Sequence, residues 1–235
     1  MDIQQRVEQL DWSGLAADMN QRGFASSPKV LTDKECDELI LQYNNEALYR
    51  KTINMERYRF GFGEYKYFRY PLPVIVQQLR ENVYPKLAPI ANEWMRVLNI
   101  DLHFSGSLSQ LLELCHKEKQ SRPTPLMLRY GKGGYNTLHQ DLYGDVYFPM
   151  QLVLFLNEPD EDYQGGEFVL IEQRPRAQSK AIVLRPRKGD MLLFTTNFRP
   201  VKGTKGYYRV NMKHGVSELT AGTRHTLGII FHDAA

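Results

Sequence analysis

The 235-residue chain is poor in cysteine, with only Cys36 and Cys115, and in tryptophan, with two. Two thiols in apolar helical stretches cannot make a disulfide framework, which fits a reducing cytoplasm. No apolar run approaches the ~20 residues that a membrane span needs. The opening MDIQQRVEQLDW lacks the basic-then-apolar layout of a secretory leader. The expectation is therefore a cytoplasmic protein with no membrane partner. Repeats and low-complexity tracts are missing as well, so nothing suggests a solenoid or a disordered linker. The length allows a full buried core without staples.

Charge of one sign is also scarce overall, at net +3, but it is unevenly placed. Residues 172–213 hold eleven Lys/Arg and two acids, a local +9 against −6 elsewhere. Such a stretch can attract an anionic partner such as nucleic acid, although solvated loops between strands explain it equally.

The first half reads as helical. Ile3, Val7 and Leu10 recur at helical spacing, Leu15 and Met19 continue after a possible cap at Ser13, and Gly23 is placed to end the run. Phe24–Leu31 reads as a short extended piece. Thr32 and Glu35 form a capping-box pattern before Cys36, Leu39, Ile40 and Tyr43. Residues 73–98 are helical in pattern but interrupted by Pro85 and Pro89, and 105–119 suggest another helix. The charged, Pro-containing stretch 116–125 reads as a natural mobile connection, and the sequence does not say whether it closes as a lid.

From about residue 124 short β-prone runs follow one another: Leu126–Tyr130, Gln151–Asn157, Phe168–Ile171, Ala181–Leu184, Met191–Phe194, Tyr207–Met212 and Leu227–Phe231. The expected fold class is α+β. A double-stranded β-helix, or jelly roll, over 124–235 is preceded and flanked by a helical extension over 1–123.

One constellation carries chemistry. His139 and Asp141 are two apart in a stretch that, if extended, points both to one side. His214 lies 75 residues later at the end of another expected strand. Two imidazoles and one carboxylate make a facial triad that leaves open positions on Fe(II). Arg224, ten residues beyond His214 and past a turn at Thr220–Thr223, is expected on an antiparallel return beside the metal end of the neighbouring strand. Its guanidinium suits the far carboxylate of a dicarboxylic acid. Taken singly, each residue also fits a turn or a strand end; the combination points to a working site, with no catalytic residue beyond the metal ligands.

The spacing H-x-D, long gap, H, ten residues, R resembles the 2-oxoglutarate/Fe(II) dioxygenases, specifically the prolyl-hydroxylase-like branch. Tyr130-Gly-Lys-Gly-Gly-Tyr135 is similar to that branch's Tyr- and Gly-rich strand entry, which implies that Tyr130 contacts the co-substrate. The strings LHQDLYGD, GGEFVLIEQRPRAQS and GTRHTLGIIFHDA look like a bacterial oxygenase family described as acting oxidatively on damaged, methylated DNA. The resemblance implies Fe(II), 2-oxoglutarate and O2 as cofactor set, release of succinate and CO2, and oxidation of a C–H bond on an unidentified primary substrate. It leaves Gln151 and Thr226 as candidate co-substrate neighbours. His225 and His232 are read as strand or terminal residues and not as ligands, and His103 and His116 as structural or exposed.

Arg57, Arg59, Lys66 and Arg69 interleave with seven aromatics between Tyr58 and Tyr70. That pattern suits a stacking surface for unpaired bases, but a β segment whose aromatics pack inward is the reading favoured at this level. Arg199, Lys202, Lys205, Arg209 and Lys213, just before His214, look better placed to meet an anion. Against a nucleic-acid substrate, Leu128 stands where the DNA-dealkylating enzymes of the superfamily carry Asn. A protein (prolyl-type) or small-molecule hydroxylase, a silent jelly-roll binding module and, last, a zinc hydrolase are the alternatives.

Overall fold

Short polar side chains decide where the helices begin. In the computed structural model, which describes residues 1–235, Asp2 and Thr32 close capping boxes with Gln5 and Glu35. These open α1 (Ile3–Glu8) and α3 (Asp33–Gln42). Asp11, not Ser13, caps α2 (Trp12–Arg22), and Gly23 ends it in the left-handed region. The 24-residue α4 (Val74–Val97) runs unbroken through Pro85 and Pro89. The expected interruption does not occur because both prolines lie on the exposed side. Tyr84, Leu87, Ala88, Ile90, Ala91 and Trp94 bury the other side, and their packing holds the helix across two missing N–H donors. The remaining helix is α5 (Leu108–Lys117). No helix is long and apolar enough to cross a membrane.

Strands begin well before residue 124. In chain order they are β1 (Phe24–Ser27), β2 (Tyr49–Asn54), β3 (Gly61–Phe62), β4 (Glu64–Phe68), β5 (Leu126–Tyr130), β6 (Tyr135–His139), β7 (Met150–Phe155) and β8 (Tyr163–Gly165). They continue as β9 (Phe168–Gln173), β10 (Lys180–Leu184), β11 (Met191–Thr195), β12 (Phe198–Gly203), β13 (Gly206–Val216), β14 (Leu219–Gly222) and β15 (Arg224–Ile230). One antiparallel sheet has the order β1-β11-β7-β15-β5-β4-β2; a second runs β10-β9-β13-β6-β3 with β12 also on β13; β14 and β8 form a small third. The first 123 residues thus give three strands to the larger sheet and one to the smaller. The extended readings of Phe24–Leu31 and of the aromatic segment hold, but β1, β3 and β4 pair with β11, β6 and β5 across 59 or more residues, so local patterning does not name those partners.

The two-residue period of β7 shows how the layers are divided. All six of its residues are buried. Met150, Leu152 and Leu154 join the helices in one core with Val76, Leu87 and Trp94. Val153 and Phe155 face the other way and pack with Phe168, Leu170, Phe194 and Met212. Helices therefore cover the outer face of the larger sheet, and its inner face meets the smaller sheet. The functional residues lie between the two sheets.

The connection expected to be mobile at 116–125 is tied to the core at Gln120, Arg122 and Thr124. Gln120 and Thr124 are buried. The Gln120 amide donates to the carbonyls of Val146 (2.9 Å) and Asp233 (2.7 Å), and its carbonyl accepts from the Val146 N–H. Arg122 pairs with Ala234 through two backbone hydrogen bonds. Cys36 and Cys115 are free and buried.

Candidate metal centre and co-substrate pocket

β6 and β13 are paired with His139 directly opposite His214, so both imidazoles leave the smaller sheet on the same side. Asp141 follows two residues after His139, where β6 has ended. His139 Nε2 lies 3.6 Å from Asp141 Oδ1 and His214 Nε2 lies 3.3 Å from Asp141 Oδ2. One ligand atom from each of the three falls within 4.8 Å of the others. Donors ~2.1 Å from one ion at right angles sit about 3 Å apart, so this set fits one face of a single cation. The carbonyl of Thr137 accepts from His139 Nδ1 at 2.7 Å, which leaves the Nε2 lone pair free for a metal.

The Asp141 carboxylate is held at both oxygens. The Tyr143 hydroxyl donates to Oδ1 and the Gln151 amide to Oδ2, each at 2.8 Å. Burial favours the protonated acid, but His214, then His139 and Gln151, outweigh it and hold the carboxyl well below the usual range. Burial, then the charge of His139, lowers the pKa of His214. At neutral pH Asp141 is charged and His214 neutral, the forms that bind a cation.

Arg224 reaches this site by a different route from the one its spacing suggested. It does not return beside β13. β14 carries the chain to the other sheet, where β15 pairs with β5 and β7. Arg224 sits opposite Tyr130 in that register, and both side chains line the same cavity of about 240 Å³ as the three metal-binding candidates. Arg224 is 1% exposed, with its guanidinium between the rings of Phe155 (5.3 Å), Tyr130 (5.6 Å) and Tyr163 (6.0 Å). Its Nε and Nη1 have no hydrogen-bond partner, and neither does the buried Tyr130 hydroxyl. An unpaired buried charge costs several kcal/mol, so the cavity is built for an anion.

Gln151 and Thr226 line this cavity too. Less apparent from the sequence were Tyr143, Tyr65 and Tyr67. Residues 65 and 67 alternate with Lys66 along β4, so both tyrosines enter the cavity while Lys66 turns away to Glu46 and the rings of Tyr43 and Tyr49. That alternation was a usable signal; the strand's partner was not. Burial raises the pKa of Tyr65, Tyr67 and Tyr143, so all three remain hydroxyls. His225 and His232 are buried and lie outside the metal cluster.

The basic stretch 172–213 is neutralised in part, through five of its eleven cations. Arg174 and Arg199 pair with Glu172, Arg185 with Asp160, Arg187 with Glu158 and Lys188 with Asp37. Arg199 is itself buried, and Arg209 lies over the Phe198 ring. The row from Arg199 to Lys213 is therefore not one free anion-binding patch.

Residues 63–234 match a sequence family described as an oxygenase catalysing oxidative methylation of damaged DNA. Two Mycobacterium tuberculosis proteins, from strains CDC 1551 and H37Rv and both named as uncharacterised, are 37% identical over 231 residues, 98% of this chain and 94% of theirs. Among crystal structures, a Pseudomonas putida prolyl-4-hydroxylase superposes with a TM-score of 0.56 at 15% identity, covering 95% of this chain and 99% of that one. A Burkholderia pseudomallei oxidoreductase of the 2OG-Fe(II) oxygenase family gives 0.56 at 14%, covering 97% and 94%. At such identities these two establish a shared fold, while the match over most of the length establishes kinship: the chain belongs to the oxygenase family described as acting on damaged DNA.

Proposed function

We propose that the protein is an Fe(II)- and 2-oxoglutarate-dependent dioxygenase, with iron held by His139, Asp141 and His214 and the distal carboxylate of 2-oxoglutarate held by Arg224 beside Tyr130. The two facing sheets are read as its double-stranded β-helix. Residues 124–235 carry the ligands, and residues 1–123 pack on that core and complete its sheets. One observation carries the reading. Three ligand atoms converge in a cavity that also contains a buried guanidinium with two unpartnered nitrogens and no ion pair.

When bound, the iron with 2-oxoglutarate and O2 supplies the oxidising power to break a substrate C–H bond, and 2-oxoglutarate leaves as succinate and CO2. The chain's own residues position and exclude. Tyr143 and Gln151 fix the carboxylate plane of Asp141, and Thr137 fixes the tautomer of His139. Phe168 and Phe194 pack against the His214 ring and keep water from its buried side. Arg224 and Tyr130 offer donors suited to a carboxylate at the far end.

For the primary substrate, the family description and the aromatic lining of Phe60, Tyr65 and Tyr67 support an N-methylated nucleic-acid base. Oxidising that methyl carbon removes it as formaldehyde. A peptide is the second reading, favoured by apolar Leu128 lining the cavity. Formaldehyde from a methylated oligonucleotide, against hydroxyproline from a peptide, separates them.

The decisive variant is His139→Ala. It is expected to lose iron binding in equilibrium dialysis, and with it the succinate formed when Fe(II), 2-oxoglutarate and O2 are supplied without primary substrate. Wild-type iron content and turnover in that variant would remove the metal assignment.

A further inference from the structure

Phe60 belongs to two surfaces at once. It lines the cavity that holds His139 and Asp141, yet it is 45% exposed and stacks on Tyr58, itself 52% exposed, at 5.5 Å and 19° between planes. The inward packing expected for this segment holds for Phe68, while Tyr58, Phe60 and Phe62 face solvent. Phe62 pairs across the strands with Tyr135, another exposed ring.

This rim is fixed in place. The Phe60 carbonyl accepts both the backbone N–H and the hydroxyl of Thr137 at 2.8 Å, two residues before His139. Gly61, at φ +142°, lets β3 lie against β6; a Cβ there would meet the Tyr135 carbonyl oxygen at 2.2 Å.

Around the rings stand Arg57, Arg59 and Lys132, all exposed. None is among the chain's ion pairs, unlike the paired members of 172–213. Glu56 is the one acid between residues 55 and 62. Free cations, exposed ring faces and a path from the rings to the metal site together describe a complement to a polyanion with π-faces. A peptide has less to hold it here. β3, the edge strand, is only two residues long, which is too short for strand addition.

We infer that the rim of Tyr58, Phe60, Phe62 and Tyr135, with Arg57, Arg59 and Lys132, docks an unpaired stretch of nucleic acid and admits one base past Phe60 into the cavity. Neighbouring bases stack on Tyr58 and Phe62, which a paired duplex does not permit. The inference deepens the oxygenase reading and rests on its placement of the reactive centre.

The test is fluorescence anisotropy of the full-length protein with a labelled oligothymidylate and with a duplex of equal length. The single strand is expected to bind tighter. Three phosphate contacts predict that log K falls with log salt with a slope of about −2. Tyr58→Ala and Phe62→Ala should each weaken binding about tenfold, with thermal midpoints unchanged, and Tyr58→Trp should retain it. No binding at low salt, equal affinity for the duplex, indifference to both alanine variants, or a proline-rich peptide held by the same rings would overturn the inference. Succinate formation by the wild-type protein is scored separately. Succinate without oligonucleotide binding removes the rim proposal alone, and binding without succinate removes the oxygenase reading while the surface stands.

Discussion

Arg224 combines full burial with no counter-ion, and the two together make its role measurable without any substrate. A lone guanidinium between three aromatic rings destabilises the ligand-free fold. Arg224→Met, of similar length and no charge, is therefore expected to stabilise the ligand-free protein by about 1–4 kcal/mol and to abolish the thermal shift produced by 2-oxoglutarate. A variant that melts lower and still responds to 2-oxoglutarate would show that the charge serves another purpose. Tyr143 is a positioning residue, touching Asp141 rather than a ligand of its own. Tyr143→Phe removes one hydrogen bond and keeps the ring. By analogy with other groups that orient metal ligands, it is expected to weaken metal binding about 10–100-fold in a chelator competition; unchanged affinity would leave Gln151 as the sole support.

At the scale of elements, α4 shows packing overriding propensity. A proline inside a helix costs about 3 kcal/mol relative to Ala, and its rigid unfolded state returns up to about 1. Pro85 is exposed and follows the buried Tyr84, so no apolar contact is lost with its ring. Pro85→Ala is expected to raise stability by about 1–2 kcal/mol in urea unfolding, and a lower midpoint would mean that the ring packs usefully. β3 and β4 lie at the opposite extreme, short strands of weak intrinsic signal whose partners decide everything. Glu64 faces Arg129 and Tyr65 faces Leu128 across β4 and β5, which brings two tyrosines into the cavity from a segment 59 or more residues upstream.

On the scale of the whole molecule, the buried C-terminal segment ties the helices to the sheet. Arg80 and Asp233, both fully buried, are paired at 2.7 Å, and Tyr70 donates to the same carboxylate. Burial, with Arg80 adding to it, takes the neighbouring His232 down to about 4, and burial with Arg129 does the same to His225. Both folded values lie below the unfolded ~6.5. Their contribution is therefore complete above pH ~6.5 and is lost as pH falls towards 4, where the unfolded chain takes up protons that the folded one refuses. The slope is about 1.4 kcal/mol per pH unit for each imidazole. Urea midpoints flat between pH 6.5 and 5 would contradict neutral burial. Most helices, most strands after residue 124, the residue types able to hold a cation and the family signature were written locally, in periods of two and 3.6 and in the spacing of His139, Asp141, His214 and Arg224. Sheet membership of residues 24–68, the crossing that sets Arg224 opposite Tyr130 and the pairing of five cations of the basic stretch were decided only by folding. The reason is distance along the chain. Lys188 finds Asp37 151 residues away, and no local pattern carries the address of a partner so remote.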